Sequence, residues 1–81
     1  MVKLVAGIDI GNATTEVALA EVGAASGQVR FLASAIVPTT GIKGTSANIR
    51  GLFQALTDAL RKAGRRIEDL DSIRIKEAAP V

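Results

Sequence analysis

The sequence predicts a two-layer α/β chain in the order β-β-β-α-β. Three strands form an antiparallel meander, a fourth lies parallel to the first, and a helix covers one face of the sheet. Three observations predict this. Short apolar runs with period-two alternation, separated by turn residues, occupy the first half of the chain. A single stretch of apolar residues at helical spacing follows. A last short alternating run comes after the helix, which is the connection a parallel strand requires.

Residues 3–10 read as the first strand, with Leu4, Ala6, Ile8 and Ile10 on one face and Val5, Gly7 and Asp9 on the other. Gly11-Asn12-Ala13 interrupts it with turn chemistry, Gly and Asn both tolerating positive φ. Residues 14–22 form the second strand, in which Thr15, Val17 and Leu19 oppose Ala18, Ala20 and Val22. A turn over residues 23–27 leads to a third strand over 28–37, with Val29, Phe31, Ala33, Ala35 and Val37 in one phase, ended by Pro38. After a loop from Thr39 to Gly44, with Thr45 or Ser46 as N-cap, Ile49, Leu52, Phe53, Leu56, Leu60 and Ala63 define an amphipathic helix over about 46–63. Gly64 suits the position just past its end, and Arg61 and Lys62 suit the negative end of its dipole. An acidic connector containing Leu70 precedes the fourth strand, Ser72 to Lys76.

One helix covers one face, yet the strands carry apolar residues on both. Val5, Ala18, Ala20, Val22, Leu32 and Ile36 are left for water or for something beyond this chain, so the 81 residues read as part of a larger domain. The core is aliphatic, with two Phe as the only aromatic residues. With no Cys there is no disulfide framework, and with no His the usual general base and commonest metal ligand are missing. Chemistry therefore falls to carboxylates, hydroxyls, cations and backbone groups. A basic stretch (Lys43, Arg50, Arg61, Lys62, Arg65, Arg66 against Asp58) has no interleaved aromatics to stack on bases, which argues against nucleic acid as a partner. The N-terminal apolar run breaks at Asp9, too short for a signal peptide or a membrane span, so a cytoplasmic chain is expected.

The chemistry concentrates at the first hairpin. A phosphate needs converging backbone N–H groups, close approach and hydroxyl donors; Gly11 permits the approach, and Thr14 and Thr15 follow it. Asp9, on the strand leading in, can hold Mg²⁺ directly or through water. The plain alternative is a simple hairpin whose threonines are good strand formers. Two features favour the phosphate cradle: a carboxylate on an apolar strand, and hydroxyls at the spacing a phosphate loop needs.

The stretch Ala6-Gly7-Ile8-Asp9-Ile10-Gly11-Asn12-Ala13-Thr14-Thr15-Glu16-Val17-Ala18 resembles the first phosphate motif of the actin, Hsp70 and sugar-kinase superfamily. Together with Thr39-Thr40-Gly41-Ile42-Lys43-Gly44-Thr45 and Ile73 to Val81, it resembles the large subunit of diol and glycerol dehydratase reactivases. The last segment departs from that family's Asn-Glu-Ala-Thr-Pro-Val at Lys76 and Ala79, and Ala13 stands where Ser is common. The resemblance implies that residues 1–81 are the N-terminal, incomplete portion of an actin-like ATPase domain of the ribonuclease H-like fold. It implies a chaperone-like factor that uses ATP to release damaged cobalamin from a coenzyme B12-dependent dehydratase, together with a small partner subunit. The same resemblance allows association with a bacterial microcompartment. ATP or ADP with Mg²⁺ would be the cofactors, and Asn12, Ala13 and Thr14 would line the phosphates, with Asp9 and Gly11 shaping the site. The alternatives are a sugar-kinase-like or acyl-hydrolase member of the superfamily, or a non-catalytic interaction module.

Strand polarity adds two further candidates. If the first strand points toward the hairpin, so do the third and fourth, bringing the Thr39–Thr45 loop and Glu77 to the same end. Lys43 is then placed to reach a phosphate and Glu77 a metal-bound water. No catalytic residue is assigned firmly; Asp9 and Glu77 are the candidates, and the fragment alone is not expected to hydrolyse ATP.

Overall fold

A computed structural model describes residues 1–39 and 46–77, with side chains from residue 49 onward in the helix. Strands β1 (Val2–Ile10), β2 (Thr14–Gly23) and β3 (Val29–Pro38) are followed by helix α1 (Ser46–Ala63), a 3-10 turn (Ile67–Asp69) and strand β4 (Ser72–Glu77). The sheet order is β3-β2-β1-β4. β1 pairs antiparallel with β2 and parallel with β4, and β2 pairs antiparallel with β3. The expected meander with one added parallel strand is the observed architecture.

α1 packs on β2 and β3. Leu4, Ala6, Ile8 and Ile10 of β1, Val17 and Leu19 of β2 and Ala35 of β3 form the core with Ala55, Leu56, Ala59 and Leu60 of the helix. Removing these aliphatic groups from water is the main favourable term for so small a chain. The helix meets the sheet through Ala55 and Ala59, both fully buried, because small side chains let its backbone come close. Ile49 and Phe53, which the sequence reading assigns to the apolar stripe, lie on its flank and are about half exposed. α1 ends as expected: Gly64 has φ +67°, its N–H reaches the Arg61 carbonyl (3.1 Å), and the Arg65 N–H reaches that of Leu60 (2.9 Å). This pair of bonds satisfies the last helical carbonyls.

The third strand corrects the sequence reading. The register with β2 shifts between Leu19, which pairs Ala33, and Ala20, which pairs Phe31. Leu32 is the extra residue of a bulge, and a bulge reverses the alternation of the strand before it. Val29 and Phe31 therefore share the uncovered face with Val22 and Ala20, and Phe31 is 62% exposed. Leu32, expected on the uncovered face, packs against the core instead.

Beyond the reach of α1, β4 is exposed along its length, so Ile73 and Ile75 remain about half accessible although they share the helix face with Ala6 and Ile8. Backbone and side chain of Asp71 clasp this strand to its neighbour: its N–H donates to the Leu4 carbonyl (2.9 Å), and its Oδ2 accepts from the Leu4 N–H (2.8 Å). The basic stretch is partly spent on internal contacts. Arg65 pairs with Glu21 (2.9 Å), Arg61 with Asp58, and the Lys62 ammonium donates to the Ser34 carbonyl (3.0 Å).

Candidate functional site

β1, β3 and β4 all end at the edge of the sheet where the first hairpin turns. Ile10 pairs Glu77 in the parallel ladder, and Thr14 pairs Pro38 in the antiparallel one. The turn of residues 11–13, the start of β2, Thr39 and Glu77 therefore share one end of the molecule, as strand polarity requires. Lys43 and Thr45 lie outside the described residues.

The turn is tight. The Gly11 N–H donates to the Thr14 carbonyl (2.9 Å), and Asn12 and Ala13 make the corner. Among the described residues only Gly27 and Gly64 have positive φ, so the corner does not use the left-handed conformations that Gly and Asn permit. Gly11 is required for space instead. A Cβ there would sit 2.8 Å from the Thr14 carbonyl oxygen, closer than real Cβ contacts come.

Thr39 stitches the turn to the end of β3. Its N–H donates to the Ala13 carbonyl (2.9 Å), its hydroxyl donates to the Gly11 carbonyl (2.8 Å), and its Oγ1 lies 2.9 Å from that of Thr15. Thr15 is buried, and its hydroxyl is engaged in this network rather than facing out of the turn. Asn12, Ala13 and Thr14 are exposed. Sequence reasoning brings the Thr39–Thr45 loop to this end but singles out Lys43 in it and gives Thr39 no role of its own. Its role depends on the β2–β3 register, and its only local signal is a hydroxyl directly after the proline that ends β3.

Asp9 is exposed on the uncovered face, so no burial cost attaches to its carboxylate and that part of the sequence argument falls away. Across the sheet it stands between Glu16 on β2 and Lys76 on β4. The two acids directly opposite each other repel, and the Lys76 ammonium offsets them. A shallow groove of about 280 Å³ runs here, lined by Asp9, Glu16, Arg74 and Lys76 around Gly7 and Ala18. Glu77 belongs to the other face, with Ile10 and Ile8, so alternation separates it from Asp9 although the two are one register position apart. Among the described residues no group of three or more acidic side chains is placed to hold a metal ion. No helix there is long and apolar enough to cross a membrane.

No family model matches the chain. It is 49% identical over 79 residues to the propanediol dehydratase-reactivating factor large subunit of Citrobacter freundii, and 49% identical to the diol dehydratase-reactivating factor large subunit of Klebsiella michiganensis. In each case the match covers 98% of this chain and 13% of the relative. A solved diol dehydratase-reactivating factor in nucleotide-free form superimposes with TM-score 0.82 at 49% identity, over 96% of this chain and 13% of that one. A glycerol dehydratase reactivase gives 0.80 at 52%, over 95% and 12%. A PPX-GPPA enzyme of Aquifex aeolicus gives 0.58 at 17%, over 95% and 27%, a likeness of fold alone. The mixed sheet with its one helix is thus the β-β-β-α-β part of the actin-like ATPase fold.

Proposed function

We propose, for a chain homologous over 98% of its length to the large subunits of dehydratase-reactivating factors, that the turn at residues 11–14 holds the phosphates of ATP or ADP. Residues 1–81 then act as the N-terminal portion of an actin-like ATPase domain. The observation that carries the reading is the exposed corner of Asn12, Ala13 and Thr14, whose flanking Gly11 and Ala13 carbonyls are drawn aside to Thr39. In a sequence this similar to reactivating factors, such a corner suits a phosphate.

In this reading Gly11 lets the turn close tightly, Asn12 and Ala13 line the phosphates, and Thr14 offers a hydroxyl donor. Thr15 buttresses the turn from beneath. Asp9 supplies one carboxylate toward Mg²⁺, directly or through water. Mg²⁺ is commonly held by one or two carboxylates plus substrate phosphates, so a single exposed carboxylate fits it only as part of a nucleotide site. When bound, the ion would neutralise phosphate charge. Glu77 faces the opposite side of the sheet, so its part would be to position water from there. Lys43 would add a cation from the connecting loop.

The protein as a whole would be a cytoplasmic, chaperone-like reactivating factor that releases damaged cobalamin from a B12-dependent diol or glycerol dehydratase, working with a small subunit. Association with a microcompartment belongs to the same proposal. The sugar-kinase-like and acyl-hydrolase readings share the fold, but the 17% identity of the PPX-GPPA neighbour gives them no support beyond it.

Because the chain spans 13% of its relatives' length, the test needs the rest of the site. A hybrid is made by exchanging the matching 79 residues of the Citrobacter freundii large subunit for this chain's. It should bind ATP and, with the small subunit and fresh cofactor, restore an inactivated dehydratase. Asp9→Asn and Thr14→Ala should each weaken ATP binding about tenfold, the loss of one charge-assisted contact. Unchanged affinity in both variants would remove the phosphate assignment. Intact ATP binding without reactivation would remove only the reactivating function.

A further inference from the structure

We infer that Thr39, directly after β3 and outside the phosphate motif, is the positioning residue that sets the backbone of the phosphate turn; this rests on the phosphate reading above. Three bonds converge on it: hydroxyl to the Gly11 carbonyl (2.8 Å), N–H to the Ala13 carbonyl (2.9 Å), and Oγ1 against Thr15 Oγ1 (2.9 Å). A peptide group is planar and trans, so its C=O and N–H point in opposite directions. Drawing the Gly11 carbonyl to Thr39 fixes the direction of the Asn12 N–H. Drawing the Ala13 carbonyl to it fixes that of the Thr14 N–H. Two of the three peptide planes between Gly11 and Thr14 are thus set by one residue, and the N–H groups of Asn12 and Thr14 are directed away from it.

The carbonyls matter as much as the N–H groups. A carbonyl oxygen turned toward a phosphate repels it, and Thr39 holds two of them toward β3. Turn residues in a free hairpin rotate these planes at little cost, so a nucleotide would have to order them on binding. Fixing them beforehand removes that cost. The buried Thr15 hydroxyl supports the arrangement by fixing the Thr39 rotamer, with Thr39 donating to Gly11 and Thr15 donating to Thr39. The hydroxyl of Thr39, rather than its bulk, therefore carries the function.

The test uses the hybrid subunit with Thr39→Val, which keeps the shape and removes the hydroxyl, and Thr39→Ser, which keeps the hydroxyl. The probes are ATP and adenosine, which has no phosphate. Thr39→Val should weaken ATP about tenfold and leave adenosine unchanged, and Thr39→Ser should restore ATP binding to within about threefold. ATP affinity unaltered by Thr39→Val would overturn the inference. So would an equal loss for ATP and adenosine, which marks a purely structural role. Asp9→Asn and Thr14→Ala in the same hybrid separate the two ideas. If neither alters ATP binding, the phosphate reading has failed; if both weaken it while Thr39→Val does not, only the role of Thr39 has.

Discussion

Replacing Gly11 by Ala places a methyl group 2.8 Å from the Thr14 carbonyl oxygen, where ordinary contact begins at 3.4 Å. The oxygen, a main-chain atom that accepts the Gly11 N–H at 2.9 Å, must retreat by about 0.6 Å. That movement stretches the hydrogen bond that closes the corner, a loss of about 0.5–1.5 kcal/mol, and adds overpacking of about 1–3 kcal/mol. Against this, Ala lowers the entropy of the unfolded chain, worth about 0.4–1 kcal/mol where the native φ suits it, and φ is not positive at Gly11. The net expectation is a loss of roughly 1–3 kcal/mol, or about 5–20 °C in melting temperature for a chain of this size. Thermal and urea denaturation followed by circular dichroism would read it. Gly7→Ala is the internal control: its Cβ would come no nearer than 4.0 Å to the Ala18 carbonyl oxygen, so that variant should be neutral or slightly more stable. If Gly11→Ala behaves like Gly7→Ala, the steric account of the turn is refuted.

Three further outcomes are expected. Gly64→Ala, at φ +67°, should cost about 1 kcal/mol in denaturation by straining the helix end. Leu56→Ala, at 1% exposure, should cost about 2–5 kcal/mol through the cavity it leaves between α1 and the sheet, again read by denaturation. Asp71→Ala removes the 2.8 Å bond to the Leu4 N–H and should raise amide exchange in β4 well above that in β2, while the overall melting temperature falls only slightly.

Most of this architecture is legible in the residues because local and global preferences agree. The stripe from Ile49 to Ala63, the N-cap candidates before it and the glycine after it place the helix at about 46–63, observed as Ser46–Ala63, and alternation gives β1 and β2 their faces. Two things were hidden, for physical reasons. In β3 the run Phe31-Leu32-Ala33-Ser34-Ala35-Ile36-Val37 carries apolar residues in both phases, so alternation cannot reveal that Leu32 is a bulge; the pairing with β2 decides it. In the helix, the large residues Ile49 and Phe53 attract attention but lie on its flank, while Ala55 and Ala59 are fully buried beside Leu56 and Leu60, since close approach selects small side chains. At the site, the convergence of the Gly11–Thr14 turn and Glu77 at one end follows from strand polarity. The separation of Asp9 from Glu77 follows only once the β1–β4 register is known, and the centrality of Thr39 only from the β2–β3 register.

The most direct test of the central claim is a crystal structure of the hybrid subunit with Mg²⁺ and a non-hydrolysable ATP analogue. The account predicts phosphate oxygens within hydrogen-bonding distance, about 2.7–3.2 Å, of backbone N–H groups between Asn12 and Thr14, with the Gly11 and Ala13 carbonyls still bound to Thr39. A nucleotide seated with its phosphates away from this turn would contradict it.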